Sequence, residues 1–337
     1  MQSSDRKPTM KDVAREAGVA LGTVSNVFNN VPVGREYKVR VLEAAERLGY
    51  SVNSYARGLR AEKTNTVAVI LPGLAHMYFS RLADFICQAL NSRGYRMLLA
   101  TTEYDSQAEI RCIQMLRQNM VDGIIGLTYS TVQMEVEGMP YVSIDRIISP
   151  TVPCVSSDNY GGGVLAAEKL ISLGCRRLLF LRHGSALTGE TDKRGGGFAS
   201  ACGQHGVDFT MKRFNDEEGL EPMFRFLKEN TDAEGRLAYD GIFCSTDLLL
   251  HQVETFLRRR GIRVPEDVQM IGFDGTRLFH SEEYVCSTIV QPVKQIAETA
   301  VELLLDRRQT QHSALVCLPV YYAAGGTTKE EAVTGGQ

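Results

Sequence analysis

From Thr66 to Val320, short apolar runs alternate with longer stretches of helical periodicity, and that alternation leaves few folds open. The run at 66–71, Thr-Val-Ala-Val-Ile-Leu, is apolar at nearly every position rather than at every second one. A strand of this kind is buried on both faces, as in parallel sheets whose crossover helices cover each side. Further strands are expected at 96–100, 123–127, 141–144, 154–156, 178–181, 241–244, 268–273 and 315–320. Helices at 77–92, 107–119, 163–173, 193–205, 217–229, 248–260 and 293–307 separate them. The series starts again after residue 160. Two doubly wound α/β lobes are therefore expected, with strand carboxyl ends from both meeting at a cleft.

The first 50 residues follow a different rule. Thr9 is a good helix N-cap, and Asp12 three residues later suits the positive end of that helix. Val13, Ala14 and Ala17 share one face, and Gly18 can take the positive φ at which a helix stops. A second helix buries Val24, Val27 and Phe28 and shows small uncharged groups (Gly22, Ser25, Asn26 and Asn29) on its other side. A third, over 38–48, places Val41, Leu42, Ala45 and Leu48 on its buried face and ends at Gly49. A small helical hairpin presented this way can enter the DNA major groove, which admits one helix and carries the base code. Charge agrees. The whole chain carries −3, but residues 1–65 hold 11 Lys/Arg against 7 Asp/Glu, and the remainder holds 26 against 33. A basic head on an acidic body suits phosphate binding by one end.

Asp12-Val13-Ala14, Ala17-Gly18-Val19, Thr23-Val24-Ser25, Asn29-Asn30, Arg40-Val41-Leu42, Leu48-Gly49-Tyr50 and Asn53 together resemble the headpiece of the LacI/GalR family of bacterial transcription regulators. Asn53-Ser54-Tyr55-Ala56-Arg57-Gly58-Leu59-Arg60 is similar to that family's hinge helix, and the two-lobed pattern to its periplasmic-binding-protein-like core. The resemblance implies a headpiece at 1–52, a hinge and linker at 53–65, and an effector-binding, dimerising core at 66–337. Within the core one lobe would span about 66–160 plus 293–318, the other about 161–290 plus 319–330. Leu21, Gly22 and Asn26 occupy the positions that read bases, while Thr9, Thr23, Ser25 and Asn29 would hold phosphates. In the hinge, Asn53, Ala56 and Arg57 would meet DNA and Leu59 would wedge into the minor groove. A segment that short, containing Gly58, is expected to become helical only beside its twin on DNA.

The chain departs from the family pattern at several points. Asn26 replaces a common Arg, so a different operator preference is expected. Ala20 stands for the usual Ser, Val52 for Pro, Thr246 for Asn, and His76-Met77-Tyr78-Phe79 for Asn-Pro-aromatic-Phe.

Ligands of open α/β sheets bind beyond strand carboxyl ends. Asp145, Asp158, Asp247 and Asp274 each follow or end a strand. Arg194 lies in Lys193-Arg194-Gly195-Gly196-Gly197-Phe198, which resembles the family's Arg-x-x-Gly-aromatic motif. His76 and Phe79 offer rings, and Glu190 is a further candidate. Carboxylates accept paired hydroxyls and an Arg fork donates to oxygens, so a sugar or sugar derivative fits best. A purine, or a phosphoprotein co-repressor, is the alternative.

No nucleotide, esterase or metalloprotease signature is present, and Gly161–Gly163 and Gly195–Gly197 lack dinucleotide spacing, so neither catalysis nor a cofactor is expected. The eight cysteines are scattered with no C-x-x-C pair, which points to reduced, mostly buried thiols and away from a metal site. A sugar-transport receptor would need an export signal and no DNA-binding head, and both requirements fail. The expected protein is a cytoplasmic, effector-responsive repressor acting as a homodimer, or as a pair of dimers, on a near-palindromic operator.

Overall fold

The computed structural model describes residues 8–29, 31–50, 64–118, 121–278, 283–306 and 315–329. The expected hinge, with Asn53, Ala56, Arg57 and Leu59, lies outside them, as does Asn30. The chain divides into two compact units, Met1–Thr64 and Asn65–Gln337.

Among the described residues the first unit is a three-helix cluster, α1 (Met10–Ala17), α2 (Leu21–Phe28) and α3 (Arg35–Arg47). Asp12 Oδ2 accepts from the Thr9 amide at 2.9 Å and from its hydroxyl at 2.7 Å, closing the start of α1. Gly18 ends α1 at φ +61°. Arg40 of α3 donates to the carbonyls of Ala17 (2.6 Å) and Gly18 (3.2 Å), supplying partners that a helix end otherwise lacks. Val13, Ala14, Ala17, Val24, Val27, Val41, Ala44 and Ala45 make the core. Leu42 is not among them. It is 47% exposed, because the buried stripe of α3 runs Val41, Ala44, Ala45, Leu48 and Leu42 falls about 100° to its side. Phe28 is half-buried, its ring 5.5 Å from that of Tyr50.

The second unit holds two six-stranded sheets. Along the chain come β1 (Thr66–Leu71), α4 (Met77–Asn91), β2 (Arg96–Thr101), α5 (Ser106–Gln118), β3 (Gly123–Gly126), a one-turn α6 (Gln133–Val136), β4 (Tyr141–Ile144) and β5 (Cys154–Ser157). Then follow α7 (Asn159–Ser172), β6 (Arg177–Gly184), α8 (Lys193–Gln204), β7 (Asp208–Asn215), α9 (Glu221–Glu229), β8 (Gly241–Cys244), α10 (Asp247–Arg259), β9 (Gln269–Asp274) and β10 (Thr288–Val290). The last are α11 (Val293–Leu305), β11 (Leu315–Leu318) and β12 (Tyr321–Ala323). Strand order is β11-β5-β4-β3-β1-β2 in one sheet and β12-β10-β9-β8-β6-β7 in the other, every pairing parallel except β10 with β12. Helices α4 and α11 bury their apolar stripes on the first sheet, and α9 and α10 theirs on one face of the second. Helices α7 and α8 cover the other face of that sheet. The main chain passes between lobes three times, before α7, after β10 and between β11 and β12.

Several elements differ from expectation. The strand expected at 315–320 stops at Leu318 as β11, and β12, which follows it in the other sheet, was not expected. β7 and β10 were not expected, and α7 begins at Asn159 rather than 163. The three glycines that hide its first turn, Gly161–Gly163, have a packing cause. A Cβ on Gly163 would strike the carbonyl of Arg194, and one on Gly197 the carbonyl of Tyr160, so α7 and α8 cross backbone to backbone. That close crossing seats Arg194 at the mouth of the second sheet.

Candidate functional site

In the first unit, α2 turns Val24 and Val27 inward, which leaves Leu21, Gly22, Asn26 and Asn29 exposed and Thr23 and Ser25 half-buried. The face is uncharged and short-chained, and Asn29 Nδ2 donates to Ser25 Oγ at 3.2 Å. Nothing stands within 4 Å of the place a Gly22 Cβ would take. Ala20, at the N-cap, offers no side-chain acceptor to the first amides of α2. The hydroxyl of Thr9 lies on the same unit, already bound to Asp12.

In the second unit, a cavity of about 1000 Å³ opens where the strand ends of both sheets meet. His76, Phe79, Asp145, Arg194 and Asp274 line it. Asp274, the last residue of β9, and Asp145, the first past β4, both have positive φ, +132° and +57°. Such backbone is costly for a non-glycine residue and collects at functional sites.

Hydrogen bonds run from both carboxylates into the end of β5. Ser156 Oγ donates to Asp145 Oδ1 at 2.8 Å, Asn159 Nδ2 donates to Ser156 Oγ at 2.9 Å, and Arg194 Nε donates to Asn159 Oδ1 at 2.7 Å. Arg194 is 3% exposed, donates Nη1 to the Ser245 carbonyl at 2.5 Å, and lies 3.6 Å above the Phe273 ring. On the other side Ser157 donates to Gln291 Oε1 at 2.7 Å, and Gln291 Nε2 to Asp274 Oδ1 at 2.7 Å. Asp274 is 4% exposed, and its Oδ2 has no hydrogen-bond partner among the described residues. His76 Nε2 stands 3.8 Å from it. Because His76 Nδ1 accepts from the Tyr78 amide at 3.3 Å, a neutral ring carries its proton on Nε2, toward Asp274. Burial raises the pKa of Asp274, with His76 and Arg194 opposing. Burial also raises that of Asp145, with Arg194 and the Ser156 hydrogen bond opposing.

Three expected ligand residues are placed elsewhere. Asp158 caps α7, its Oδ1 accepting from the Gly161 amide at 2.8 Å. Glu190 is buried in a 3-10 turn and pairs with Lys193 Nζ at 2.6 Å. Asp247 sits behind Asp274, accepting from the Thr276 amide at 2.7 Å and the Thr288 hydroxyl at 2.6 Å; burial first and Asp274 second raise its pKa. None of the three lines the cavity. Conversely Tyr78, Tyr129, Arg182 and Gln291 do, and were not expected. Arg182, held by Asp192 at 3.1 Å, follows the run 178–181, so the strand-end rule that marks Asp145 would also have found it.

A helical head with an uncharged presenting face, followed by two parallel α/β lobes around a polar cavity, defines a ligand-responsive DNA-binding regulator. Residues 9–53 match the model for bacterial regulatory proteins of the lacI family, and residues 167–328 that for the periplasmic binding protein-like domain. The sucrose operon repressor of Pediococcus pentosaceus is 32% identical, the match covering 95% of this chain and 99% of that one. The ribose operon repressor of Bacillus subtilis is also 32% identical, over 96% and 99%. Among solved structures, the complex of the transcriptional regulator CelR with cellobiose shares 26% identity over 95% of this chain and 99% of its own, with a TM-score of 0.67. The chain belongs to the lacI family of bacterial regulatory proteins. It is a DNA-binding transcription regulator, and its relatives are repressors and not enzymes.

Proposed function

We propose that this regulator is a cytoplasmic homodimeric repressor released from, or driven onto, its operator by a sugar held in the inter-lobe cavity. The observation that carries the effector class is the unpartnered Asp274 Oδ2, buried in a cavity that also holds Asp145 and Arg194. A buried acceptor without a donor costs free energy that a ligand hydroxyl would recover, and adjacent hydroxyls can bridge the paired acceptors. Relatives named for sucrose and ribose operons support the class.

On the DNA side, Leu21, Gly22 and Asn26 would face base edges, while Thr9, Thr23, Ser25 and Asn29 would meet phosphates. The hinge positions Asn53, Ala56, Arg57 and Leu59 keep the minor-groove role that the family resemblance implies. The lobes are already bridged where the ligand would sit: Arg81 of α4 donates to the Gly275 carbonyl at 2.9 Å, one residue past Asp274. A ligand at Asp274 would bias that contact and the relative setting of the lobes, so effector and operator affinities are reciprocally linked.

A thermal-shift screen of the purified protein against saccharides, sugar phosphates, purines and amino acids tests the effector class. A ligand at 100 times its Kd adds about 2.7 kcal/mol. Stabilisation by purines or amino acids alone would refute a sugar effector.

A further inference from the structure

We infer that the cavity is built for a saccharide of two rings, the inner ring at the Asp274 carboxylate and the outer one on the Tyr104–Tyr129 aromatic pair. This rests on the sugar-effector reading above and specifies its size class. Cavity size comes first. At about 1000 Å³ the space stands at the top of the roughly 300–1,000 Å³ range that accommodates drug-sized ligands of several rings.

The lining is also divided. Asp145, Arg194, Asp274 and Gln291 are buried at the strand ends. Tyr104, Gln107, Asp216 and Glu217 are exposed at the mouth of the same cavity. Between the two groups stands Tyr129. Its ring centroid is 5.4 Å from that of Tyr104, and its hydroxyl, raised by burial, feels Tyr104 on one side and Asp145 and Arg194 on the other. One continuous path therefore runs from the buried carboxylates to the mouth.

The backbone at the mouth is the third observation. Glu103 and Tyr104 are consecutive non-glycine residues at φ +51° and +63°. Side chains seldom adopt that region, and a bulky aromatic least of all. The turn is pinned to the end of β1 by the Glu103 amide on the Pro72 carbonyl at 2.8 Å, and closed by the Asp105 amide on the Thr102 carbonyl at 2.8 Å. It holds Tyr104, 52% exposed, at the rim instead of letting it pack away. Asp216, the second contributor to the raised Tyr104 hydroxyl, faces it from the other lobe. An aromatic face opposite a carboxylate suits a pyranose or furanose ring, whose C–H face packs on the aromatic while its hydroxyls reach the acid.

Isothermal titration of the full chain with sucrose, cellobiose, maltose, lactose and trehalose, and with glucose, fructose and galactose, tests this. At least one disaccharide is expected to bind ten or more times more tightly than either of its component sugars. Tyr104→Ala is expected to weaken that disaccharide about tenfold while leaving the weaker monosaccharide binding within twofold. A monosaccharide that binds as tightly as the best disaccharide, or a Tyr104→Ala loss equal for both, overturns the two-ring inference and leaves the sugar reading standing. Silence from every sugar overturns both. Because Tyr104 is half-exposed, the variant should fold, and an unchanged far-ultraviolet circular dichroism spectrum verifies it.

Discussion

Replacing Asp274 with Asn tests the central assignment on two axes at once. The side chain keeps its shape, and its Oδ1 can still accept from Gln291 Nε2, but the charge disappears and an equally unpartnered amide nitrogen takes the place of Oδ2. Burial disfavours the charged carboxylate and raises its pKa, and each tenfold change in proton affinity corresponds to about 1.4 kcal/mol. The ligand-free variant should therefore be more stable than the parent by about 1.5 kcal/mol at pH 7.5. For a core of this size that is roughly 3–6 °C in Tm. The pH dependence carries the sign. Because the folded carboxyl titrates above its unfolded value, the native state holds more protons between the two values, and parental stability falls as pH rises through that window. The Asn variant lacks this titration, so its advantage should be full at pH 7.5 and gone near pH 4. Differential scanning calorimetry from pH 4 to 8 reads the difference. Ligand-induced stabilisation should vanish in the same samples, since two charge-assisted hydrogen bonds at about 1.5 kcal/mol each correspond to roughly a hundredfold in affinity. A variant that melts below the parent at pH 7.5 and still responds to sugar would refute both the cost of the buried charge and the pocket.

Asn26→Ala should lose discrimination among operator variants while keeping most binding to random DNA; equal losses on every sequence in a selection assay would mean that Asn26 reads no base. Gly197→Ala should lower the core Tm by roughly 5–10 °C, because overpacking against the Tyr160 carbonyl costs about 3 kcal/mol, whereas Gly22→Ala, where space is open within a helix, should raise the headpiece transition by a few degrees, since Gly costs up to about 1 kcal/mol against Ala there. Asp12→Ala removes the one oxygen that accepts from both the amide and the hydroxyl of Thr9 and should cost the headpiece about 1 kcal/mol, read from circular dichroism melts of the isolated 1–64 unit.

Parallel strands with helices on both faces announce themselves through unbroken apolar runs, which is why β1, β3, β8 and β9 were legible. β7 was not, because Asp-Phe-Thr-Met-Lys-Arg-Phe-Asn is an edge strand with one side to water and no such run. β10 and β12 are three residues each, too short for a periodic signal. The strand-end rule marked Asp145 and Asp274, and the resemblance to the family motif marked Arg194, but neither could say which carboxylates face a ligand. Asp158 and Asp247 occupy equivalent strand-end positions, yet the Gly161 amide takes up an oxygen of the first, and the Thr276 amide and Thr288 hydroxyl those of the second. The same limit applies to Leu42: apolar identity is visible in sequence, whereas 100° of helix rotation is decided by the packing of three helices together.

The three passages of the main chain between lobes bear on how the protein is made. The sheet begun by β1 is completed at one edge by β11, some 160 residues after β5, and the other sheet by β12 only three residues later. Neither lobe is a contiguous segment. A ribosome must deliver Leu318 before the first sheet has all its strands and Ala323 before the second does, and until then the β5 edge and the antiparallel side of β10 present unpaired amides and carbonyls. During synthesis the chain thus depends on chaperone shielding more than two consecutive domains of the same size would, and premature termination after α11 spoils both lobes together.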